Sequence, residues 1–239
     1  MEHWKRELYQ KYSSTFSRTI SIESFNAFKP YGNKIVTELF PSDKSIRILD
    51  MGCGIGGFVK VFLDRGYLNV EGIDVSSESV SIANHFGIAQ VHKGEIIDSL
   101  KIKDDNSFDI ILYLDVLEHI TRHETLCILN ETYRILRPGG KVIIHAPNAE
   151  GVFGSRIRYS DITHEMAFTE KSLGQMMTYA GFTSFTCLED QPTMHNLKGV
   201  IRRFLWKLGT FPFRVLHMAE TGTYRIKLSQ NILFCALKA

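Results

Sequence analysis

One stretch, Ile46 to Phe58, limits what this chain can fold into. It reads Ile-Arg-Ile-Leu-Asp-Met-Gly-Cys-Gly-Ile-Gly-Gly-Phe. The apolar run Ile46, Ile48, Leu49 ends on an acid, Asp50, and a glycine cluster follows at once. Apolar strand, glycine turn and helix in that order are how an open parallel sheet offers a ligand crevice at the carboxyl ends of its strands. Gly52, Gly54 and Gly56 lack a Cβ, so the backbone can turn sharply and a ligand can lie against it. Gly52, Gly54 and Gly57 also satisfy the dinucleotide pattern G-x-G-x-x-G. Asp50 opposes that reading, because a pyrophosphate seeks backbone N–H groups and a helix N-terminus. A carboxylate two residues before the first glycine would repel phosphate and welcome a cationic, phosphate-free ligand.

The rest of the chain continues the alternation. Phe58 to Arg65 reads as helix with Gly66 as its cap, and Asn69 to Asp74 as the second strand. Asp74 stands at a strand end about 20 residues past the turn, where a carboxylate can accept hydrogen bonds from ribose hydroxyls. A helix to Phe86 and Gly87, a short strand Ile88 to His92 and the turn Gly94-Glu95-Ile96 follow. Phe108 to Leu114 is a buried-strand run ending in Asp115-Val-Leu-Glu118-His119. Thr121 and Glu124 form a capping box, and Pro138 stops the helix that they open. Lys141 to Ala146 is a further strand, and Thr169 caps a helix that ends before Gly181-Phe182. Residues 183–189 and 231–238 close the series as strands.

These motifs, in this order over residues 46–182, resemble class I S-adenosylmethionine-dependent methyltransferases. Asp50-Met-Gly-Cys-Gly-Ile-Gly matches the first motif, Asp115 to Ile120 the fourth, and Leu136-Arg-Pro-Gly-Gly140 a further trait. The resemblance implies an α/β fold with a doubly wound, seven-stranded, mostly parallel sheet. It implies S-adenosylmethionine as cofactor, held by Asp50, Gly52, Cys53, Gly54, Gly56, Asp74 with Val75, Glu95 with Ile96, and Leu114 with Asp115. It also implies an antiparallel strand pair at one sheet edge, and N-terminal helices that cover the cofactor, shape the acceptor pocket or simply pack on the sheet. The segment Arg158 to Thr169 resembles one in bacterial methyltransferases near glycan biosynthesis, which implies a sugar hydroxyl in a surface glycan or its precursor as acceptor. A hydroxyl needs a base, since its pKa lies far above 7. His119, near the expected methyl position, and His164, with Asp161 close enough to orient it, are the leading candidates; Asp115, Glu118 and His145 are weaker. No metal-ligand spacing stands out, although Asp161, His164 and Glu165 could bind magnesium.

The organisation expected is one unit over residues 1–239. A helical cap spans 1–45, a core 46–189 and 230–239, and a basic helical insertion 190–229. From Gln191 to Ala219 there is no acid, yet Lys198, Arg202, Arg203, Lys207 and Arg214 occur. Ile201, Phe204, Leu205 and Leu208 recur among them at helical spacing, and Pro212 breaks any longer helix. Such a segment can lie on an anionic membrane, grip a phosphorylated substrate, or pack as a lid with a solvated basic face. The net charge of +2 lacks the basic excess of a nucleic-acid binder. The N-terminus does not read as a signal peptide, and no run is long enough to span a bilayer. The four scattered cysteines indicate reduced thiols and a cytoplasmic setting, at the inner membrane face if residues 198–214 make that contact. Two further readings are a methyltransferase for a lipophilic small molecule such as a quinone precursor, and a nicotinamide oxidoreductase or idle cofactor-binding protein.

Overall fold

The computed structural model describes residues 3–10, 20–192, 194 and 196–239; the loop expected around Ser13–Ser17 lies outside them. The chain runs through α1 (His3–Gln10), a 3-10 turn (Ile22–Phe28), α2 (Lys29–Leu39), β1 (Ile48–Met51), α3 (Gly57–Asp64), β2 (Val70–Asp74), α4 (Ser77–His85), β3 (Val91–Lys93) and α5 (Ile96–Lys101). It continues through β4 (Phe108–Leu114), a second 3-10 turn (Leu117–His119), α6 (Arg122–Ile135), β5 (Leu136–Pro147), α7 (Gly154–Arg158), α8 (Glu170–Tyr179), β6 (Ser184–Glu189), α9 (Leu197–Thr221) and β7 (Asn231–Leu237). The seven-stranded sheet has the order β3-β2-β1-β4-β5-β7-β6. Strands β3 to β5 pair parallel, while β7 is antiparallel to both β5 and β6. After β1 the chain winds outward to β2 and β3, then returns to β4 on the other side, so a crevice opens beyond the ends of β1 and β4.

Successive side chains of β4 show how the sheet is buried on both sides. Ile111 and Tyr113 join Leu49, Met51, Val142, Ile144 and the inner faces of α6 and α8 in one core. Ile110 and Leu112 join Ile48, Ile143, Val59, Phe62 and α2 in the other. Apolar residues at every strand position are what a parallel sheet covered on both faces requires. Gly32, inside α2, permits close approach to α3, since a Cβ there would lie 2.8 Å from Val61 Cγ1.

Three local expectations need correction, and one short helix joins the expected elements. The third strand starts at Val91, not Ile88, because the Ile88 N–H is used in stopping α4: it donates to the Ala83 carbonyl beyond left-handed Gly87. Strand β5 starts at Leu136, with Arg137 to Gly140 bulging out between the pairs Phe108↔Leu136 and Ile110↔Lys141. A short helix, α7, forms within the loop region 147–168. Pro212 does not end α9, which runs on to Thr221. The proline removes one N–H, and the partner that this donor would have had is the carbonyl of Leu208, a residue 61% exposed where water can replace it.

Candidate active site

The site begins with a carboxylate in an improbable place. Asp50 sits in β1 between Gly72 of β2 and Leu112 of β4, and is 1% exposed. Its Oδ2 has no hydrogen-bond partner. Burial, and next the charge of Asp74, push its pKa up to about 8. An ionised carboxylate there is costly unless a cation joins it.

The glycine turn that follows is held by one carbonyl, Ile73 O, which accepts from the N–H groups of Gly52 and Cys53 at 2.7 and 3.1 Å. Gly52, Gly54 and Gly56 all take left-handed φ values, +72°, +55° and +76°. They differ in what lies beyond. A Cβ on Gly52 would meet Val116 Cγ2 at 2.5 Å and one on Gly56 would meet Val91 Cγ2 at 2.8 Å, but one on Gly54 would enter open space. Gly52→Ala is therefore expected to lose about 2–4 kcal/mol of stability, from left-handed strain plus overpacking. Gly54→Ala should lose only about 1–2 kcal/mol. Chemical denaturation of the ligand-free variants checks the contrast.

Gly52, Gly54, Asp74, Val75, Glu95, Ile96 and Asp115 line one cavity of about 700 Å³. Asp50, Cys53, Gly56 and Leu114 are not in that lining: Asp50 is buried in β1, and Cys53 and Leu114 belong to the core, where a Cβ on Gly72 would meet the Cys53 thiol at 2.8 Å. Asp74 Oδ2 accepts from Gly54 N at 2.7 Å and Oδ1 from Ser76 N at 2.8 Å, so each oxygen keeps one lone pair for a ligand. Burial raises its pKa.

Tyr9, Glu118, His119 and His164 cluster at another part of the cavity, with Ile157 beside His164, and Ile97, Ile120, His123, Glu124, Cys127 and Ile128 also line it. Among the described residues that line it there is no Lys or Arg. Thr163 Oγ1 donates its proton to Asp161 Oδ1 at 2.6 Å, so at 2.7 Å from His119 Nδ1 it must accept. This fixes the tautomer: Nδ1 of His119 carries the hydrogen and Nε2 is the basic nitrogen. Burial first, then His164, lowers the pKa of His119 to about 4, so it is neutral at pH 7. Asp161 thus orients His119, not His164 as the sequence suggested. His164 Nδ1 donates to the Ile157 carbonyl at 3.0 Å instead, and its ring lies 4.6 Å from that of His119.

Glu118 is 2% exposed, its Oε2 lacks a hydrogen-bond partner, and burial followed by Asp115 lifts its pKa to about 8. Ligand atoms of Glu118, His119 and His164 lie within 4.8 Å of one another. Among the described residues that trio, and not Asp161, His164 and Glu165, has the proximity to hold a divalent cation.

His145 is not a base. Burial alone would lower its pKa, but Asp115 at Nδ1 (2.6 Å) and Asp190 at Nε2 (3.3 Å) raise it to about 10. It is an imidazolium between two carboxylates, and it holds Asp115, whose φ is +58°, at the end of β4. Lys34 of α2 completes the network, 3.0 Å from Asp190 Oδ1.

The N-terminal helix takes part in the site directly. Lys5, 4% exposed, reaches the His119 carbonyl at 3.3 Å and pairs with Glu165. Arg6 lies 3.5 Å from Glu95, and Tyr9 lines the cavity. So α1 touches both parts of the site. Tyr9, Lys5 and Thr163 were missed from sequence; only the Asp161-x-Thr163 spacing ahead of His164 offered a hint of the last.

Residues 26–186 match the family described as "Methyltransferase domain". Over 162 residues the chain is 29% identical to phosphoethanolamine N-methyltransferase 2 of Caenorhabditis elegans, covering 64% of this chain and 36% of that protein. Over 100 residues it is 28% identical to a ubiquinone biosynthesis O-methyltransferase of Ralstonia nicotianae, covering 40% and 41%. The match to each relative spans less than half of that protein's length. Its fold is that of an S-adenosylmethionine-dependent methyltransferase from Archaeoglobus fulgidus, with a TM-score of 0.68 at 18% identity over 99% of this chain and 100% of the other.

Proposed function

This chain belongs to the methyltransferase-domain family, and from that premise we propose that it transfers the methyl group of S-adenosylmethionine to a hydroxyl of an uncharged, lipophilic acceptor, with His119 as general base. The observation that carries the reading is the chain Asp161, Thr163, His119, which sets a neutral imidazole with a basic Nε2 in the lining of the cavity.

The residues present fit this cofactor. Asp50 offers an orphaned, buried carboxylate oxygen to an ammonium, Gly54 leaves space that a Cβ would fill, and Asp74 keeps acceptor capacity for ribose hydroxyls. A dinucleotide fits poorly, since its pyrophosphate would meet Asp74 and Asp115 with no cation among the described wall residues. When bound, the cofactor supplies an electrophilic methyl on a good leaving group. The protein aligns the acceptor and excludes water. His119 takes the hydroxyl proton at Nε2 as the oxygen becomes an ether oxygen and its O–H turns strongly acidic.

Two features favour an apolar acceptor over the sugar hydroxyl suggested by the sequence: Ile120 and Ile157 next to the two histidines in the cavity lining, and a relative named for O-methylation in ubiquinone biosynthesis. The phosphoethanolamine relative is named for a phosphorylated amine, which would lack a cation partner among the described residues of this wall. Incubation with methyl-labelled cofactor and a panel of phenols, phosphoethanolamine and free or lipid-linked sugars tests the proposal. Labelled phenol is expected, also after dialysis against EDTA. Label in phosphoethanolamine alone would overturn the acceptor class, and loss with EDTA would make Glu118, His119 and His164 metal ligands rather than base and neighbours.

A further inference from the structure

Helix α9 is built inside out. The residues that its surroundings cover form one stripe, Gly199, Arg203, Trp206, Thr210, Arg214 and His217, at steps of three and four. These are small or polar for the most part. What it shows to solvent is apolar: Leu197, Phe204, Leu205, Leu208, Phe211 and Leu216 are each more than half exposed. Exposed apolar side chains gathered along one helix mark a surface that something binds.

The charges on the helix identify that partner. Lys198, Arg202, Arg203 and Lys207 are in no ion pair among the described residues; only Arg214 is, at 2.6 Å from Glu189. No acid occurs from Gln191 to Ala219. A second copy of this chain seated symmetrically on α9 would bring cation against cation, with Glu220 near the end of the helix as its one acid to relieve them. An anionic lipid surface satisfies both features at once, taking up the apolar side chains and neutralising the cations. No helix among the described residues is long and apolar enough to cross a membrane. The lysines and arginines spaced along α9 suit a helix lying in the interface plane.

The helix is also well placed. Its flanking strands meet the sheet at the rim where β5 ends, with Pro147 opposite Asn231 and Glu189 opposite Ile232. Glu189 Oε1 accepts from Arg214 and from Leu228 N, and Asn148, just past β5, donates to the carbonyls of Lys227 and Ser229. Pro147 and Asn231 themselves line the cavity. We propose that α9 docks this protein on anionic membrane surfaces through its exposed apolar face and basic side chains, with the cavity rim beside the bilayer. The inference rests on the helix and its anchoring, not on the reaction proposed above.

Flotation of the full chain with vesicles tests it, without reference to activity. The protein should float with vesicles of phosphatidylglycerol and phosphatidylcholine in equal parts, should float far less with phosphatidylcholine alone, and should be released by high salt. Arg202→Ala with Lys207→Ala should weaken binding roughly 25-fold, at about fivefold per cation. Leu205→Glu with Leu208→Glu should abolish it while the melting temperature holds, since both side chains are exposed. No flotation of the wild type would overturn the proposal. So would light scattering that shows a dimer dissociated by the glutamate pair, because the apolar face would then be the seat of a second copy.

Discussion

Replacing His119 by glutamine is expected to lower turnover about 10²- to 10⁴-fold, the range over which a positioned base contributes. Cofactor affinity should change little, because His119 lies in the turn after β4, held by Thr163 and packed on His164, and not in the glycine turn or on β2. Thr163→Val should show a smaller loss of the same kind: it frees His119 Nδ1 from its fixed partner without removing the imidazole. The pH profile carries the sign. With its pKa lowered to about 4, His119 is unprotonated above about pH 5. Turnover at saturating cofactor should therefore stay level from neutral pH down to about 5 and fall below it. A steep fall near 6.5 would mean that another imidazole is the base. Steady-state kinetics of the two variants, beside calorimetry of adenosylhomocysteine binding, read out both halves of the prediction.

Asp50→Asn should act in the opposite compartment, with weaker cofactor binding and a more stable free protein. A charge-assisted hydrogen bond to a buried carboxylate contributes about 1.5–3 kcal/mol, so affinity above pH 8 should fall roughly 10- to 100-fold. In the wild type the pKa near 8 requires Asp50 to release a proton when it receives an ammonium. Wild-type affinity should then fall about tenfold per pH unit below 8 and level off above it; the asparagine variant should lack this slope. The stability effect follows from the same shift. The folded pKa lies above the unfolded value, so the contribution of Asp50 is complete below about pH 4 and is lost as pH rises towards 8. Ligand-free Asp50→Asn should accordingly melt several degrees above wild type at pH 8. Glu118, also lifted to about 8, gives the same trend in both proteins and does not confuse the comparison.

That Gly52, Gly54, Asp74, Glu95 and Asp115 share one cavity was legible because its cause is local. Asp50, Gly52 and Gly54 lie in one run, and parallel pairing places Asp74, Glu95 and Asp115 on the same rim whatever the rest of the chain does. The sequence also placed the apolar strands and caps, since each is written in a window shorter than a dozen residues. The cluster around His119 was not legible in the same way. His119 meets Thr163 across 44 residues and Lys5 reaches His119 across 114, contacts that no local pattern records. The identity of His145 as a cation depends first on Asp115, 30 residues away beyond β4, and next on Asp190 beyond β6. Glycines 52, 54 and 56 looked alike in sequence; only their neighbours, Val116, empty space and Val91, tell conformational need from ligand clearance.

The central claim is that a buried, unpartnered acid at the end of β1 exists to meet the positive charge of the cofactor. A crystal structure of the complex with adenosylhomocysteine tests this most directly. The account predicts the amino group of the ligand beside Asp50 Oδ2, directly or through one water, and the ribose hydroxyls on Asp74. An amino acid tail lodged elsewhere, with Asp50 Oδ2 still alone, would contradict it.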